Sequence, residues 1–358
     1  MNKDTPWLLF DCYEDEFGFT AGKEIEWYTS LRPIGYDNIG DFLDARKAPK
    51  HRKHIAELLK KYGCESTENF LRVTHALSLN DTFWVKEPES SLSWDEVSLY
   101  RNEFDELVSN AAFDGVISST TLSSTSPEFG TDGAYAKCWQ RENDTVYLYK
   151  SGSDTYEIEP LSEFLASQVA DILCHNHVAY DLTFYHGRLA SKCKLFTSEQ
   201  FGLAKMSVLS VPNRRNPAAL LKFAEQYGSE DLMRRMFVLD ALILNIDRHL
   251  GNVGFLFDND TMRITGMAPI YDNNRSLLFY FDTETLEKRP EWCISKCEPR
   301  ISVDFIKTAQ AVLTDELRAD LKNMVGFRFQ APVGINVPMD RLEALSRILN
   351  IQLKKILQ

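Results

Sequence analysis

One stretch of the sequence, from Ser229 to Asn274, constrains the fold more than any other. Its first part, Ser229–Ile246, is apolar on most sides and opens with Ser-Glu-Asp, which predicts a buried helix with a capped, acidic N-terminus. A polar loop, NIDRHLGN, follows at 245–252. Two alternating segments, 252–257 and 262–270, flank an Asp-Asn-Asp turn and predict a β-hairpin.

The predicted hairpin determines which polar side chains meet. Its first strand leaves from Asn252 and its second returns to Asp272, so both residues are expected close to Asp247. Phosphoryl transfer uses such a set: one aspartate orients the attacking hydroxyl, while an asparagine and a second aspartate hold Mg²⁺ on the nucleotide phosphates. Either aspartate alone would be read as a loop or turn residue. The ordered set predicts a kinase with Asp247, Asn252 and Asp272 as catalytic residues, the last two being metal ligands.

Composition limits the classes of partner. Hydrophobic residues make up 44% of the 358 residues and charged residues 26%, which is ordinary for a folded globular protein. The net charge is −12, and residues 1–115, with 13 basic and 22 acidic side chains, carry most of the excess. A protein that coats a polyanion should be basic, so no direct nucleic-acid partner is expected.

The termini and apolar runs predict the compartment. The start MNKDTPWLLF has no basic segment leading into an apolar one, so no signal peptide is expected. The longest apolar run, Met236–Leu244, is interrupted by Asp240 and is too short to span a bilayer. A cytoplasmic protein without a membrane partner is the expectation.

Strands followed by helices predict an α+β protein with two lobes. Residues 1–115 form the acidic N-terminal subdomain, with helices expected at Pro49–Tyr62 and Ser93–Asn110, the second opened by a Ser93/Glu96 capping box. The segment 115–130, rich in Ser and Thr, is read as a boundary or loop. The later elements are a hairpin (134–140 with 145–150), a helix at 161–173, strands at 180–185 and 189–196, and helices at 217–227, 303–312, 314–324 and 340–357.

At these motifs the sequence resembles the HipA-type serine/threonine kinases. The D-R-H-x-x-N loop, the hairpin and the Y-D-N that follows carry the resemblance, and they are also similar to the catalytic loop of the phosphatidylinositol kinases. TDGAYAKCW at 131–139 resembles the phosphate loop, and VYLYK at 146–150 resembles the strand with the ATP-binding lysine. SEFLASQVADIL at 162–173 and ASKCKLFT at 190–197 resemble the next helix and the strand before the hinge.

The resemblance implies a protein-kinase-like fold, with a β-rich N-lobe at 116–196 and a helical C-lobe at 197–358. The residues that it assigns to ATP are Gly133, Lys137, Lys150, Glu163, Leu195 and Phe196. Lys150 ends an alternating strand on the face expected to line the cleft, where it needs a carboxylate partner. Glu163 is the expected partner, with Glu159 as the substitute. Lys137 either adds charge at the phosphates or is solvated.

Two further residues of the polar loop are assigned to loop orientation. His249 is expected to orient the loop rather than transfer protons. Arg248 either neutralises phosphate or pairs with an acid within the fold.

The resemblance also implies regulation by autophosphorylation. Members of the family phosphorylate a serine of the phosphate loop, but the aligned residue here is Gly130. We therefore hypothesise autophosphorylation nearby, at Thr131, Ser126 or Ser124, where a phosphate would add nearly two negative charges.

The sequence therefore predicts a HipA-like, Mg-ATP-dependent protein serine/threonine kinase that transfers the γ-phosphate to a protein hydroxyl. The resemblance implies that such a kinase can be the toxin of a toxin–antitoxin pair with a helix-turn-helix antitoxin. A phosphatidylinositol-type lipid kinase and a non-catalytic HipA-like binding module remain the alternatives.

Overall fold

The computed structural model describes residues 1–14, 16, 20–49, 52, 54–116 and 126–358. The chain folds into two compact units. The first consists of residues 1–150, 195–204 and 256–264, and the second of residues 151–194, 205–255 and 265–358. The domain boundaries predicted after residues 115 and 196 stay predictions.

The first unit begins with a hairpin and short helices. β1 (Leu8–Glu14) and β2 (Thr20–Trp27) pair antiparallel. The helices that follow are α1 (Ile39–Asp44), α2 (Ile55–Lys61), α3 (Thr67–Thr74), α4 (Trp94–Val97) and α5 (Glu106–Asp114). α1, α2, α3 and α5 share an apolar core that includes Phe42, Leu43, Ile55, Leu58 and Phe70, whereas α4 contributes Trp94 and Val97 to a second cluster.

Two predicted helices of this unit are shorter than expected. α2 begins at Ile55, because His54 has a left-handed backbone (φ 66°) that a helix cannot include. Residues 50, 51 and 53 of the helix predicted at Pro49–Tyr62 lie outside the described residues. The helix predicted at Ser93–Asn110 is two helices, although its capping box is present: the Ser93 N–H donates to the Glu96 carboxylate at 2.9 Å. The chain leaves the helical conformation at Ser98, and Asp105 caps a new helix.

The predicted hairpin is present as β3 (Lys137–Glu142) and β4 (Thr145–Ser151), with Asn143 in the turn at φ 53°. A fully buried Arg52–Glu128 ion pair of 2.9 Å lies beneath it. Arg52 also donates to the Lys137 carbonyl at 2.8 Å, and Glu128 accepts the Trp139 N–H at 2.8 Å. These contacts hold β3 against the preceding segment.

The second unit begins with α6 (Glu159–Leu173) and the predicted hairpin of β5 (Tyr180–Tyr185) and β6 (Arg188–Lys194), with Gly187 at φ 75° in its turn. β7 (Phe201–Lys205), β8 (Gly254–Asp258) and β9 (Ile264–Met267) form a three-stranded sheet in that order. β8 and β9 confirm the predicted second hairpin, whereas β7 was not predicted. The chain passes from one unit to the other within each of these three strands.

The remaining elements are helical. They are α7 (Pro217–Glu225), α8 (Glu230–Ile243), α9 (Thr283–Lys288), α10 (Pro290–Ile294), α11 (Phe305–Val312), α12 (Asp315–Asn323) and α13 (Met339–Leu357). α8 is buried along almost its whole length and packs against α6, α7, α11 and α13. Ser229 occupies the N-cap position of α8 as predicted, but its side chain makes no capping hydrogen bond, because its hydroxyl donates to the Tyr227 carbonyl and accepts the Met267 N–H instead.

The α+β class is thus confirmed. Short helices α9 and α10 were not predicted. None of the helices in the described part of the chain has the length and apolar character needed to cross a bilayer.

Candidate active site

The polar loop begins where α8 ends. Leu244 has a left-handed backbone (φ 54°) that terminates the helix, and Asn245 behind it is fully buried. The Asn245 side-chain oxygen accepts the Asp247 N–H at 3.0 Å. This bond fixes the backbone of Asp247, whose side chain is 16% exposed.

Arg248 lies beneath the loop and pairs with an acid of the fold. Its side chain is 3% exposed, and its Nε lies 3.0 Å from the Asp240 carboxylate. Asp240 belongs to α8, so the pair ties the loop to the central helix. Burial alone would lower the pKa of Arg248, but the carboxylate of Asp240, helped by that of Asp272, raises it above its usual value. Arg248 was expected either to neutralise phosphate or to pair with an acid within the fold, and its contacts are those of the second role.

The same guanidinium joins the two ends of the hairpin. Arg248 Nη1 donates to the Asn252 carbonyl at 3.0 Å and to the Tyr271 carbonyl at 2.6 Å. The Tyr271 hydroxyl also donates to the Gly251 carbonyl at 3.2 Å. Asn252 and the residue before Asp272 are therefore neighbours, as the hairpin argument expects.

His249 contacts its own loop. Its Nδ1 accepts the Gly251 N–H at 3.0 Å, closing a tight turn at the start of a short 3₁₀-helix over Leu250–Asn252. The contact is of the kind expected of a residue that orients the loop.

Asn252 and Asp272 offer the oxygen ligands that Mg²⁺ prefers. The Asn252 amide nitrogen donates to the Asp247 carbonyl at 3.3 Å, which leaves the amide oxygen for a ligand. Asp272 has a left-handed backbone (φ 59°), and its N–H donates to the Tyr180 hydroxyl at 3.1 Å. No cluster of three or more His, Cys, Asp or Glu suited to a metal occurs among the described residues. An amide oxygen and a carboxylate oxygen are a donor set that fits a Mg²⁺ ion with further oxygens from nucleotide and water.

Glu163 and Asp272 belong to the same unit, and the charges of both act on Tyr180. Glu163 is fully buried and accepts the Ser191 hydroxyl at 2.8 Å. Burial, followed by the charges of Glu163, Cys193 and Asp272, raises the pKa of Tyr180 far above its usual value, which keeps this hydroxyl protonated between the two carboxylates. Glu159 accepts the Ser153 N–H at 3.1 Å. Lys150 belongs to the other unit, so its pairing with either glutamate stays a prediction.

Sequence reasoning missed two arginines that flank Asp247. Arg300 Nη1 lies 3.1 Å from Asp247 Oδ1, and Arg275 Nη1 lies 3.7 Å from Asp247 Oδ2. The Oδ1 atom is buried and has no well-aligned hydrogen bond, so the charge of Arg300 is its main stabilising contact. The sequence signal was weak, because both arginines lie outside any recognised motif.

The predicted phosphate-binding residues of the first unit lie on one hairpin. Lys137 and Lys150 are cross-strand partners in β3 and β4, and both are buried. Directly opposite side chains share a face of the sheet, so two ammonium groups emerge on one side. Lys137 Nζ donates to the Asp132 carbonyl at 2.8 Å and lies 2.1 Å from where a Cβ on Gly133 would be. Gly133 itself has a φ of 101°.

The two predicted hinge residues also lie in the first unit. The Leu195 N–H donates to the Val146 carbonyl at 2.9 Å, and its side chain packs on an apolar cluster that contains Trp84 and Trp94. This N–H is therefore already engaged within the protein. The role of Leu195 and Phe196 in binding adenine stays a prediction.

The three hypothesised phosphorylation sites differ in position. Ser126 is 3% exposed, and its hydroxyl is buried. The Thr131 hydroxyl donates to the Pro127 carbonyl at 2.8 Å and accepts from the Trp139 indole at 2.9 Å. Ser124 lies outside the described residues. Phosphorylation of Ser126 or Thr131 would require this segment to open first.

Comparison with solved structures shows that the chain has a fold similar to that of HipA-like kinases. The chain is similar to the Helicobacter pylori proinflammatory kinase CtkA, with a TM-score of 0.51 and 20% identity, over 64% of this chain and 92% of that one. It is also similar to HipA of Shewanella oneidensis, solved with HipB and operator DNA, with a TM-score of 0.52 and 12% identity, over 97% and 95% of the two chains. No protein-family model matches the chain, and no curated protein sequence matches it significantly. At these identities the likeness is one of fold.

Proposed function

We propose that the protein is a Mg-ATP-dependent serine/threonine protein kinase. One observation carries the proposal: Arg248, anchored on Asp240, bonds the carbonyls of Asn252 and Tyr271 and so gathers the loop of Asp247 and the loop of Asp272. An ordered Asp, Asn and Asp on a HipA-like kinase fold is what phosphoryl transfer requires.

Each residue of the set then has a chemical task. Asp247 accepts a hydrogen bond from the acceptor hydroxyl, and this bond turns the hydroxyl oxygen towards the phosphate. The Asp247 carboxylate then takes up the hydroxyl proton. Asn252 and Asp272 hold Mg²⁺, which neutralises phosphate charge when it is bound. Lys137 and Lys150 present two buried positive charges that an anionic nucleotide tail complements.

The proposal extends to the substrate and to a regulatory partner. A protein hydroxyl is the substrate, and a helix-turn-helix antitoxin is the proposed regulatory partner, since the similar HipA chain was solved with HipB and operator DNA. The net charge of −12 argues that this chain does not itself bind nucleic acid, and a cytoplasmic location fits this set of partners.

The test compares wild-type protein with Asp247→Asn, using labelled Mg-ATP with a cell lysate in one arm and phosphatidylinositol vesicles in the other. We expect labelled protein from the wild type, a loss of about 10²–10⁴-fold in the variant, and unchanged nucleotide affinity. Asp340→Asn, on the exposed first turn of α13, is the matched control and should behave as wild type.

The other outcomes separate the alternatives. Labelling of the lipid alone would indicate a lipid kinase. Nucleotide binding without any transfer would indicate a regulatory module, and equal transfer by both proteins would remove Asp247 from the mechanism.

A further inference from the structure

The inference concerns the positive charge beside Asp247, and it rests on the proposed function. A phosphoryl group in transfer carries negative charge on its equatorial oxygens, and enzymes stabilise it with fixed cations. Arg248 is the nearest arginine in sequence. Its guanidinium is buried and donates to Asp240, Asn252, Tyr271 and Asn273, so it has no donor left for a ligand.

Arg275 and Arg300 are placed differently. They approach opposite oxygens of the Asp247 carboxylate, at 3.7 and 3.1 Å, and their side chains are 36% and 51% exposed. Each guanidinium has five N–H donors, of which a contact with one carboxylate oxygen uses one or two. Both can therefore hold Asp247 and still donate to a second anion on their solvent side.

Each arginine adjoins a contact that anchors its segment. The Arg275 carbonyl accepts the Ile246 N–H at 3.2 Å, which ties it to the loop of Asp247. Arg300 precedes Ile301, which is 5% exposed, and the segment from Pro299 to Ser302 borders a small cavity together with Phe237 and Asp240 of α8. The cations are thus carried by anchored segments, which lowers the reorganisation needed to meet a developing charge.

We propose that Arg275 and Arg300 bind the phosphoryl group as it is transferred, with Arg300 as the principal donor. Asp247 marks the position of the acceptor hydroxyl, and an in-line attack brings phosphorus to about 3–3.5 Å from that oxygen. A guanidinium at 3.1 Å from Asp247 Oδ1 is close enough to reach an equatorial oxygen by a side-chain rotation. Before the ligand arrives, the Asp247 carboxylate keeps both cations aligned on the reaction centre.

A second reading of the same contact makes the opposite prediction. Arg300 could instead block Asp247 and act as a latch that the substrate must displace. Removal of a latch raises activity, whereas removal of a phosphoryl ligand lowers it, so the sign of the effect distinguishes the two.

The experiment uses the full chain and a mimic of the transferring group. Mg-ADP binding is measured by calorimetry with and without fluoroaluminate for wild type, Arg275→Gln, Arg300→Gln and the control Arg347→Gln. Arg347 is exposed and pairs only loosely with Glu287, at 3.6 Å. We expect fluoroaluminate to tighten ADP binding in wild type and control, and about 10²-fold of that gain to be lost in Arg300→Gln. Binding of Mg-ADP alone should not change.

Turnover supplies the second readout. Arg300→Gln should lower kcat for phosphate transfer without raising KM for ATP, and Arg300→Lys should recover part of the loss. Fluoroaluminate binding that is equal in all four proteins, or higher kcat in Arg300→Gln, would overturn the inference while leaving the kinase proposal standing. A wild-type protein that binds no nucleotide would overturn both.

Discussion

At the scale of single residues, the contact that matters most beneath the site is the Arg248–Asp240 pair. Both side chains are almost completely buried, at 3% and 6% exposure. Removing one partner of a buried pair leaves an uncompensated charge, whereas removing both leaves a packing defect and the Asn252 and Tyr271 carbonyls without their donor, but no unpaired charge. The pair therefore both anchors the loop and makes it sensitive to substitution.

Arg248→Met should lower the free energy of unfolding by about 3–5 kcal/mol, because Asp240 stays buried without its counter-ion. The double variant with Asp240→Leu should lose less than Arg248→Met alone. Arg347→Met, which breaks an exposed pair, is the control and should cost about 0–1 kcal/mol. Urea unfolding followed by circular dichroism measures all three, and a double variant less stable than the single one would contradict the argument.

The metal ligands allow a separate residue-level test. Asp272→Ala should abolish the stabilisation that Mg-ATP gives over ATP alone, because one amide oxygen cannot hold Mg²⁺ without a carboxylate. The Asp272 N–H that donates to Tyr180 is retained in alanine, and the quantity compared is the Mg-dependent thermal shift within each protein, not the melting temperature without ligand. A Mg-dependent thermal shift that survives in the variant would remove Asp272 from the metal site.

At the scale of elements, the β3–β4 hairpin is preceded by a glycine whose backbone few other residues could adopt. Gly133 has a φ of 101°, which L side chains rarely adopt, and its open side is filled by Lys137 Nζ. The hairpin then positions Lys137 and Lys150 opposite each other. Gly133 makes room for the Lys137 ammonium group. Its effect on a bound phosphate would act through Lys137.

Gly133→Ala should both strain the backbone and push the Lys137 ammonium from the Asp132 carbonyl. We expect a stability loss of about 1 kcal/mol or more, together with weaker nucleotide binding. Gly334→Ala is a matched control: it also has a positive φ, of 75°, but no atom lies within 4 Å of its added Cβ. Gly334→Ala should lose stability but keep its nucleotide affinity. A normal nucleotide affinity in Gly133→Ala would therefore contradict the assignment of this loop.

At the scale of the whole molecule, the N-terminal region shares a core with strands β3 and β4. Trp84, Trp94 and Leu99 pack in one buried cluster with Val146 of β4, and Trp139 and Leu195 lie against it. The Thr197 hydroxyl donates to the Leu79 carbonyl, and Trp94 and Arg101 both contact Glu199. Residues 1–115 thus support the segment that follows β6, all within the first compact unit.

A protein truncated to residues 116–358 should therefore fail to fold properly. Loss of the tryptophan cluster would expose Val146, Trp139 and Leu195, and exposed apolar patches favour aggregation. Size-exclusion chromatography and binding of a hydrophobic dye, with the full chain as reference, measure the outcome. A monomeric truncated protein that unfolds cooperatively and binds Mg-ATP would show that the N-terminal region is dispensable.

Much of this fold could be read from local pattern. Hairpins β3–β4, β5–β6 and β8–β9 and helices α6, α8, α11 and α13 show clear alternation or helical period. The misses have local causes. α9, α10 and β7 are only five or six residues long, too short for a period to emerge. α4 and α5 share one continuous apolar pattern, which hides the break at Ser98.

The sequence by itself determined the order of Asp247, Asn252 and Asp272 and the hairpin between them, because those residues are joined by a short chain with strong turn chemistry. The sequence also indicated that the acid below this loop is paired, because Asp240 interrupts an apolar run and a buried carboxylate needs a partner. Only the tertiary structure decided that the partner is Arg248. It alone brought Arg300 to Asp247, because contacts between residues far apart in the chain depend on how the helices pack, which no local pattern records.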